Sequence, residues 1–275
     1  MTFAKMHGIG NDFVMLDGIK ETFTDEQLNR LAVAMCDRRF GVGSDGIILA
    51  CRGTCSALRM RMFNPDGTEG EMCGNGVRCL ARFLVDQGYA QGPEIEVETG
   101  AGVLSLRLLD DGQVTANMGK ARLTRGEIGM LGPSDEEFLS QPIAADSIEL
   151  NGTAVSMGNP HIVFIVDDVN AVPLENWGPL FENHPLFPNR TNVHFVQVLS
   201  RSHLKQRTWE RGAGITLACG TGACSCAVAA FLNGKSERVV KVSLPGGDLW
   251  IDYKEDGTVL MTGPVETVFK GDWLL

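Results

Sequence analysis

The stretches EMCGNGVRC (residues 71–79) and LACGTGACS (217–225) carry the same tetrad, Cys-Gly-X-Gly, each time followed by a run of small and apolar residues. So uncommon a tetrad, met twice, points to an internal repeat, and repeats are sought before single elements. Laying Cys73 on Cys219, an offset of 146 residues, also lays Gly74 on Gly220 and Gly76 on Gly222. Upstream, LRMRMFNPDG (58–67) falls on LKQRTWERGA (204–213), and downstream Gly88 falls on Gly234. With the offset slipped to 145, VETGAGVLSL (97–106) falls on VSLPGGDLWI (242–251), and DDGQVTANMG (110–119) resembles EDGTVLMTG (255–263). Near the two starts, GNDFVMLD (10–17) resembles GNPHIVFIVD (158–167). Identity is sparse, but the order of landmarks holds. Two similar domains related by a pseudo-twofold are predicted, with Cys73 and Cys219 facing one another across a cleft. A duplicated fold with nothing between its halves is the plainer alternative. A reactive residue type at both equivalent places argues against it.

Around the tetrads the pattern alternates between helix and strand. Val77, Leu80, Ala81 and Leu84 form one helix face, and Gly88 stands where such a helix ends. The run ACSCAVAAFL after Gly222 is small or apolar on every side and closes at Gly234, which predicts a helix buried all round. Segments 12–17, 46–50, 95–99, 102–108, 161–166, 192–198, 239–244 and 248–253 are rich in β-branched and aromatic residues and separated by Gly, Asp and Asn. Residues 24–37 read as a further helix opened by a Thr24-x-x-Gln27 capping box. The expected fold class is α/β (α+β): two domains, each a curved, mostly antiparallel sheet wrapped round a central helix. The stretch 119–155 is weaker in pattern and is expected to contain the crossing between domains.

A cysteine just before a helix has distinctive chemistry. The first helix N–H groups lack intrahelical partners and, with the helix dipole, favour an anion. Two such termini would hold a carboxylate. The same field lowers an adjacent thiol pKa. A thiolate and an opposed thiol form a two-base pair: one removes a proton from one face of a carbon and the other delivers a proton to the opposite face, inverting the centre. The helix termini would stabilise the carbanion. The glycines are read as allowing a tight turn and close backbone approach.

Other chemistries fit less well. Neither tetrad completes a dinucleotide fingerprint, since Cys79 and Ser225 stand at the third glycine. GVGSDG (41–46) matches that pattern but precedes an apparent strand rather than a helix. Cys219-x4-Cys224-x-Cys226 has no standard zinc spacing, and Cys224 and Cys226 fall on the buried helix. The eight cysteines, with no Cys-x-x-Cys among them, suit core thiols better than a disulfide framework or a thioredoxin-like centre. At 275 residues, 44% hydrophobic and with a net charge of −10, the chain reads as globular, with no broad nucleic-acid surface. No signal peptide or bilayer-spanning run is apparent, so a cytoplasmic protein is expected.

With KMHGIGNDF (5–13), FNPDGTEGEMCGNGVRC (63–79), MGNPH (157–161), RTNVHF (190–195), ERGAG (210–214) and ACGTGAC (218–224), the chain resembles the diaminopimelate epimerase family over its whole length. The resemblance implies interconversion of LL- and meso-diaminopimelate in lysine biosynthesis, without pyridoxal phosphate, metal or other cofactor. It implies two pseudo-symmetric domains, 1–119 and 120–264, with a last strand (265–275) returning to the first, and a homodimer that binds a small molecule; from charge and hydropathy, no nucleic-acid or membrane partner is expected. It makes Cys73 and Cys219 the acid/base pair. Gly74, Asn75, Gly220 and Thr221 would meet the reacting carboxylate. Asn11, Asn64, Asn159, Asn192, Glu210 and Arg211 would line the substrate cleft, while His161 and Glu210 would tune the thiols. Taken singly, such residues have plainer readings: Asn64 before Pro-Asp-Gly is a turn residue, Glu210–Arg211 a solvated pair, and His161 a satisfied buried histidine. Gly46 departs from members that carry Gln there, and Ile215 from members that carry Glu. A proline- or hydroxyproline-type racemase would share the cysteines but would not need the polar set Asn64, Asn159, Asn192, Glu210 and Arg211. A redox-switched binding protein, closing its two thiols as a disulfide, is the alternative from outside enzymology.

Overall fold

The computed structural model describes residues 1–70 and 73–274. The chain divides into two compact units, 1–117 with 262–275, and 118–261.

Unit 1 opens with β1 (Thr2–Gly8) and β2 (Asn11–Asp17), an antiparallel pair. Helix α1 (Asp25–Cys36) starts at the N-cap Thr24, whose hydroxyl accepts from the Gln27 N–H while the Gln27 side chain accepts from the Thr24 N–H. It crosses over to β3 (Gly46–Arg52), which lies parallel to β2. The GVGSDG run ends α1: the N–H groups of Gly43 and Ser44 bond to the carbonyls of Met35 and Cys36. There follow β4 (Leu58–Phe63), β5 (Glu69–Gly70), α2 (Gly74–Asp86), β6 (Glu94–Thr99), β7 (Gly102–Leu108) and β8 (Val114–Lys120).

Unit 2 contains α3 (Arg125–Ile128), β9 (Gln141–Ala145), β10 (Ile148–Ser156), β11 (Pro160–Val166), α4 (Leu174–Glu182), β12 (Asn192–Ser200), β13 (His203–Glu210), β14 (Gly214–Ile215), α5 (Gly220–Leu232), β15 (Val239–Leu244) and β16 (Gly247–Tyr253). The chain leaves it along β17 (Thr258–Gly263), and β18 (Glu266–Asp272) pairs antiparallel with β1 of unit 1. The weakly patterned stretch 119–155 thus holds α3, β9 and nearly all of β10.

The repeat is visible in the strand register. Phe63 pairs with Glu69 and Trp209 with Ile215; Ile47 pairs with Phe63 and Val193 with Trp209; Leu58 pairs with Val97 and Leu204 with Val242. Each unit is mostly antiparallel, but each contains two parallel pairs, β2–β3 and β4–β6 in one, β11–β12 and β13–β15 in the other. A parallel pair needs a crossover. Helices α1 and α4 supply it for the first pair of each unit, and α2 and α5 for the second.

Helix α2 packs against β1, β2, β3 and β7, and α5 against β10, β11, β12, β13, β15 and β16, so each is the centre of its unit. Both end alike. The Gly88 N–H bonds to the Val85 carbonyl and Tyr89 N–H to Leu84; 146 residues on, Gly234 N–H bonds to Phe231 and Lys235 N–H to Ala230. These are Schellman ends, and Gly88 and Gly234 take the left-handed conformation they require, with φ of 76° and 68°.

The second glycine of each tetrad does a different job from the tight turn read in the sequence. Gly76 and Gly222 lie within the first turn of their helices, where the need is for space. A Cβ on Gly76 would stand 2.6 Å from Ile48 Cδ1, and one on Gly222 would stand 2.3 Å from His194 Cε1 and 3.0 Å from Cys219 Sγ. The flexible end of Ile48 can move aside, whereas the His194 ring is hydrogen-bonded at both nitrogens. Gly76→Ala is therefore expected to cost about 1 kcal/mol and Gly222→Ala about 3 kcal/mol, the two ends of the range for overpacking. Urea unfolding of the two variants checks the order.

Candidate active site

Both tetrad cysteines are helix N-caps. Cys73 (φ −134°, ψ 121°) caps α2 and Cys219 (φ −128°, ψ 104°) caps α5, and neither side chain makes a capping hydrogen bond. Ser, Thr, Asp or Asn at this position would occupy the first N–H groups. Cysteine, a weak acceptor, competes less for them with an anion.

In unit 1, the half-buried Cys73 thiol donates to Asn11 Oδ1 at 3.4 Å. The same oxygen accepts from Asn75 Nδ2 at 3.2 Å, and Asn11 Nδ2 donates to Asp45 at 2.7 Å. Asp45 also accepts the Asp12 N–H and pairs with Arg38. The GVGSDG run, whose pattern suggested a nucleotide, thus clamps Asn11. Burial alone would raise the Asp12 carboxyl, but hydrogen bonds from Arg38 and Lys5 outweigh it and hold the carboxyl below its ordinary value. Arg78, fully buried, donates to Asn75 Oδ1 at 3.0 Å and to the Gly74 carbonyl at 3.3 Å. Asn64 sits in the turn after β4, donating to the Thr68 hydroxyl at 3.0 Å. Gly46 pairs with Phe13, and a Cβ there would stand 2.8 Å from the Phe63 carbonyl oxygen. The β3–β4 spacing at this point excludes a side chain unless the backbone shifts.

In unit 2, Cys219 is 4% exposed. Its thiol pKa is pushed well above the ordinary value, chiefly by burial, then by the charge of Glu210 and the hydrogen bond to it; the Gly222 N–H and the Thr221 hydroxyl pull the other way and lose. This corrects the expectation that the helix terminus lowers this thiol. At neutral pH Cys219 holds its proton. Glu210 and Arg211 stand where β13 turns into β14, and Glu182 of α4 holds that turn. Its buried carboxylate accepts from Trp209 Nε1 at 2.7 Å, the Gly212 N–H at 2.9 Å and Arg190 at 3.0 Å. Asn192 accepts the Arg211 N–H at 3.0 Å and donates to the Pro160 carbonyl at 2.9 Å. His161 bonds to Asn159 Oδ1 at 2.9 Å and to His194 at 2.8 Å. Burial above all, with the neighbouring His194 ring and the charge of Arg211, holds His161 well below its ordinary pKa, and burial pushes His194 down to about 3, so both rings are neutral. Cys224 and Cys226 are fully buried in α5.

Unit 1 therefore gathers Asn11, Cys73, Gly74 and Asn75, with Asn64 in a separate turn. Unit 2 gathers Cys219, Gly220, Thr221 and Glu210 at the head of α5, Asn192 with Arg211, and Asn159 with His161. Sequence reasoning missed Asp45, Arg78, Glu182, His194, Thr208 and Gln206. The SDG of the 41–46 run and the buried Arg in the α2 pattern were the available signals for the first two.

The fold defines the class first: a mixed α/β fold, mostly sheet, in two units that repeat one strand register round a central helix with a cysteine N-cap. Among solved structures, a PhzF-family phenazine biosynthesis protein of Bacillus anthracis matches with a TM-score of 0.71 at 16% identity, over 100% of this chain and 99% of that one. A hydroxyproline epimerase of Agrobacterium vitis matches with a TM-score of 0.69 at 17% identity, over 98% and 90%. These likenesses concern fold alone. The diaminopimelate epimerase family model matches residues 3–124 and 153–268. Diaminopimelate epimerases of Moorella thermoacetica and Pelotomaculum thermopropionicum are each 50% identical, over 100% of both chains in the first and 99% of both in the second. The chain belongs to the diaminopimelate epimerase family.

The Cys219 environment makes a direct prediction. Glu210→Gln removes both the negative charge and the strong acceptor that disfavour the thiolate, so the Cys219 pKa should fall. Titration followed by the NMR signal of 13C-labelled Cys219 Cβ should show a midpoint well above that of an ordinary thiol in the native protein and a lower one in the variant. An unchanged or raised midpoint contradicts this account of the thiol.

Proposed function

We propose that this chain interconverts LL- and meso-diaminopimelate, with Cys73 and Cys219 as a two-base pair acting on one α-carbon. The observation that carries the reading is the pair of cysteine N-caps at equivalent register positions, in a chain half identical to diaminopimelate epimerases over full length.

Cys219, protonated at rest, is the acid when Cys73 takes the substrate α-proton. In the reverse direction the roles exchange. A thiolate of raised pKa is the stronger base once formed, so Glu210 favours proton return from carbon to Cys219. The first-turn N–H groups of α2 and α5, on Gly74, Asn75, Gly220 and Thr221, meet the reacting carboxylate and stabilise the carbanion. One such donor is worth on the order of a hundredfold in rate. Asn64, Asn159, Asn192, Glu210 and Arg211 read the second amino-acid group of the substrate. Arg211 is suited to its carboxylate, Glu210 and the amide oxygens of Asn64 and Asn192 to its ammonium. No pyridoxal phosphate or metal takes part. No helix among the described residues is long and apolar enough to cross a membrane. The chain is proposed to work as a homodimer in the cytoplasm.

The test is direct. Purified, reduced protein incubated with LL-diaminopimelate should accumulate the meso isomer, followed by chiral chromatography. Chelator or a carbonyl reagent should not slow it, and L-proline should not be racemised. Turnover of L-proline without turnover of diaminopimelate would replace this reading with the proline-type racemase.

A further inference from the structure

The sheet face under the head of α5 carries a string of buried polar side chains. Strand register places Phe13 of unit 1 at the position of His161, Ile48 at that of His194, Met62 at that of Thr208 and Met60 at that of Gln206. Unit 1 thus builds this face from apolar groups. In unit 2, His161, His194, Thr208 and Gln206 are all at most 3% exposed. Polar groups buried this deeply are retained at a cost unless each is satisfied.

The string runs in one direction. Gln206 Nε2 donates to Thr208 Oγ1 at 2.7 Å, and its Oε1 has no hydrogen-bond partner, so its contribution is its N–H. The Thr208 hydroxyl donates to His194 Nδ1 at 2.9 Å, with Gln206 Nε2 a second donor at 3.3 Å. With Nδ1 accepting, neutral His194 carries its proton on Nε2 and donates to His161 Nδ1 at 2.8 Å. Neutral His161 then carries its proton on Nε2 and donates to Asn159 Oδ1 at 2.9 Å. Asn159 is half-buried, and with Oδ1 held inward its Nδ2 is the end left for a ligand. Reversing the string would require the Asn159 amide to turn over and both rings to change tautomer, and would set a His194 Nδ1–H against Gln206 Nε2.

We infer that His194, backed by Thr208 and Gln206, is a positioning residue that fixes the Asn159 amide so that it offers an N–H donor, and not a carbonyl, to an acceptor group of the substrate such as a carboxylate oxygen. The inference rests on the proposed contact between Asn159 and substrate. A wrongly turned Asn159 would face that oxygen with another oxygen, so the string acts as a filter of group orientation built into unit 2.

The experiment has two readouts. Side-chain 15N–1H NMR of the ligand-free protein should show both rings protonated at Nε2 only. In Thr208→Val/Gln206→Met, which gives His194 Nδ1 the apolar surroundings Ile48 has in unit 1, the single tautomer of His161 should be lost. KM for LL-diaminopimelate should rise roughly tenfold, with kcat changed much less. His194→Ile should give the same KM effect, and Thr208→Ser should restore native values. Protonation of His161 at Nδ1 in the native protein, or a double variant with native tautomers and KM, overturns the inference. Lost tautomer order with an unchanged KM overturns the Asn159 contact on which it rests. A native protein inactive on diaminopimelate overturns the proposed function, and the tautomer readout still decides the string.

Discussion

Each half of this protein depends on one close approach. A helix whose N-cap is a cysteine passes a strand at a glycine, where a Cβ would stand 2.6 Å from the movable end of Ile48 in one unit and 2.3 Å from the fixed ring of His194 in the other. That contact fixes where the helix begins and therefore where the thiol and the first N–H groups stand. The rest of each unit serves it. The sheet curves round the helix, the parallel pairs set the strand ends beside its head, and a Schellman end closes it at Gly88 or Gly234.

The two halves share a backbone but not an electrostatic environment. Under α2 the sheet presents Phe13, Ile48, Met60 and Met62, and the head of the helix meets Asn11, Asn75 and the buried cation of Arg78. Under α5 it presents two neutral histidines, a threonine and a glutamine, and Glu210 lies beside the thiol. A symmetric fold thus carries two thiols in unequal surroundings, one half-buried against an amide and one buried against a carboxylate. Burial and Glu210 settle the state of Cys219 against the pull of the helix terminus.

Much of this was legible in the sequence. The tetrads gave the repeat, the glycines 146 residues apart gave the helix ends, and Thr24-x-x-Gln27 gave the start of α1. The rest was hidden for physical reasons. In β13 the residues Leu204, Gln206 and Thr208 point inward while Lys205 and Arg207 are half-exposed, so polar residues line the core side, and alternation alone reads Gln and Thr as the wet face. His194 gave no sign of its partners because they come from β11 and β13, distant in sequence. Glu182 lies in a helix containing Pro179, and nothing local marks its carboxylate as the anchor of the 210–214 turn. The terminal field at Cys219 was read correctly in direction, but its magnitude against burial is a tertiary quantity.

The central claim is that two cysteine N-caps act together on one carbon. Proton exchange tests it most directly: LL-diaminopimelate incubated with the protein in D2O, followed by NMR, beside Cys73→Ala and Cys219→Ala. The account predicts deuterium at one α-carbon with inversion, and loss of the inverted, deuterated product in either variant. Inversion that survives the loss of either thiol would contradict it.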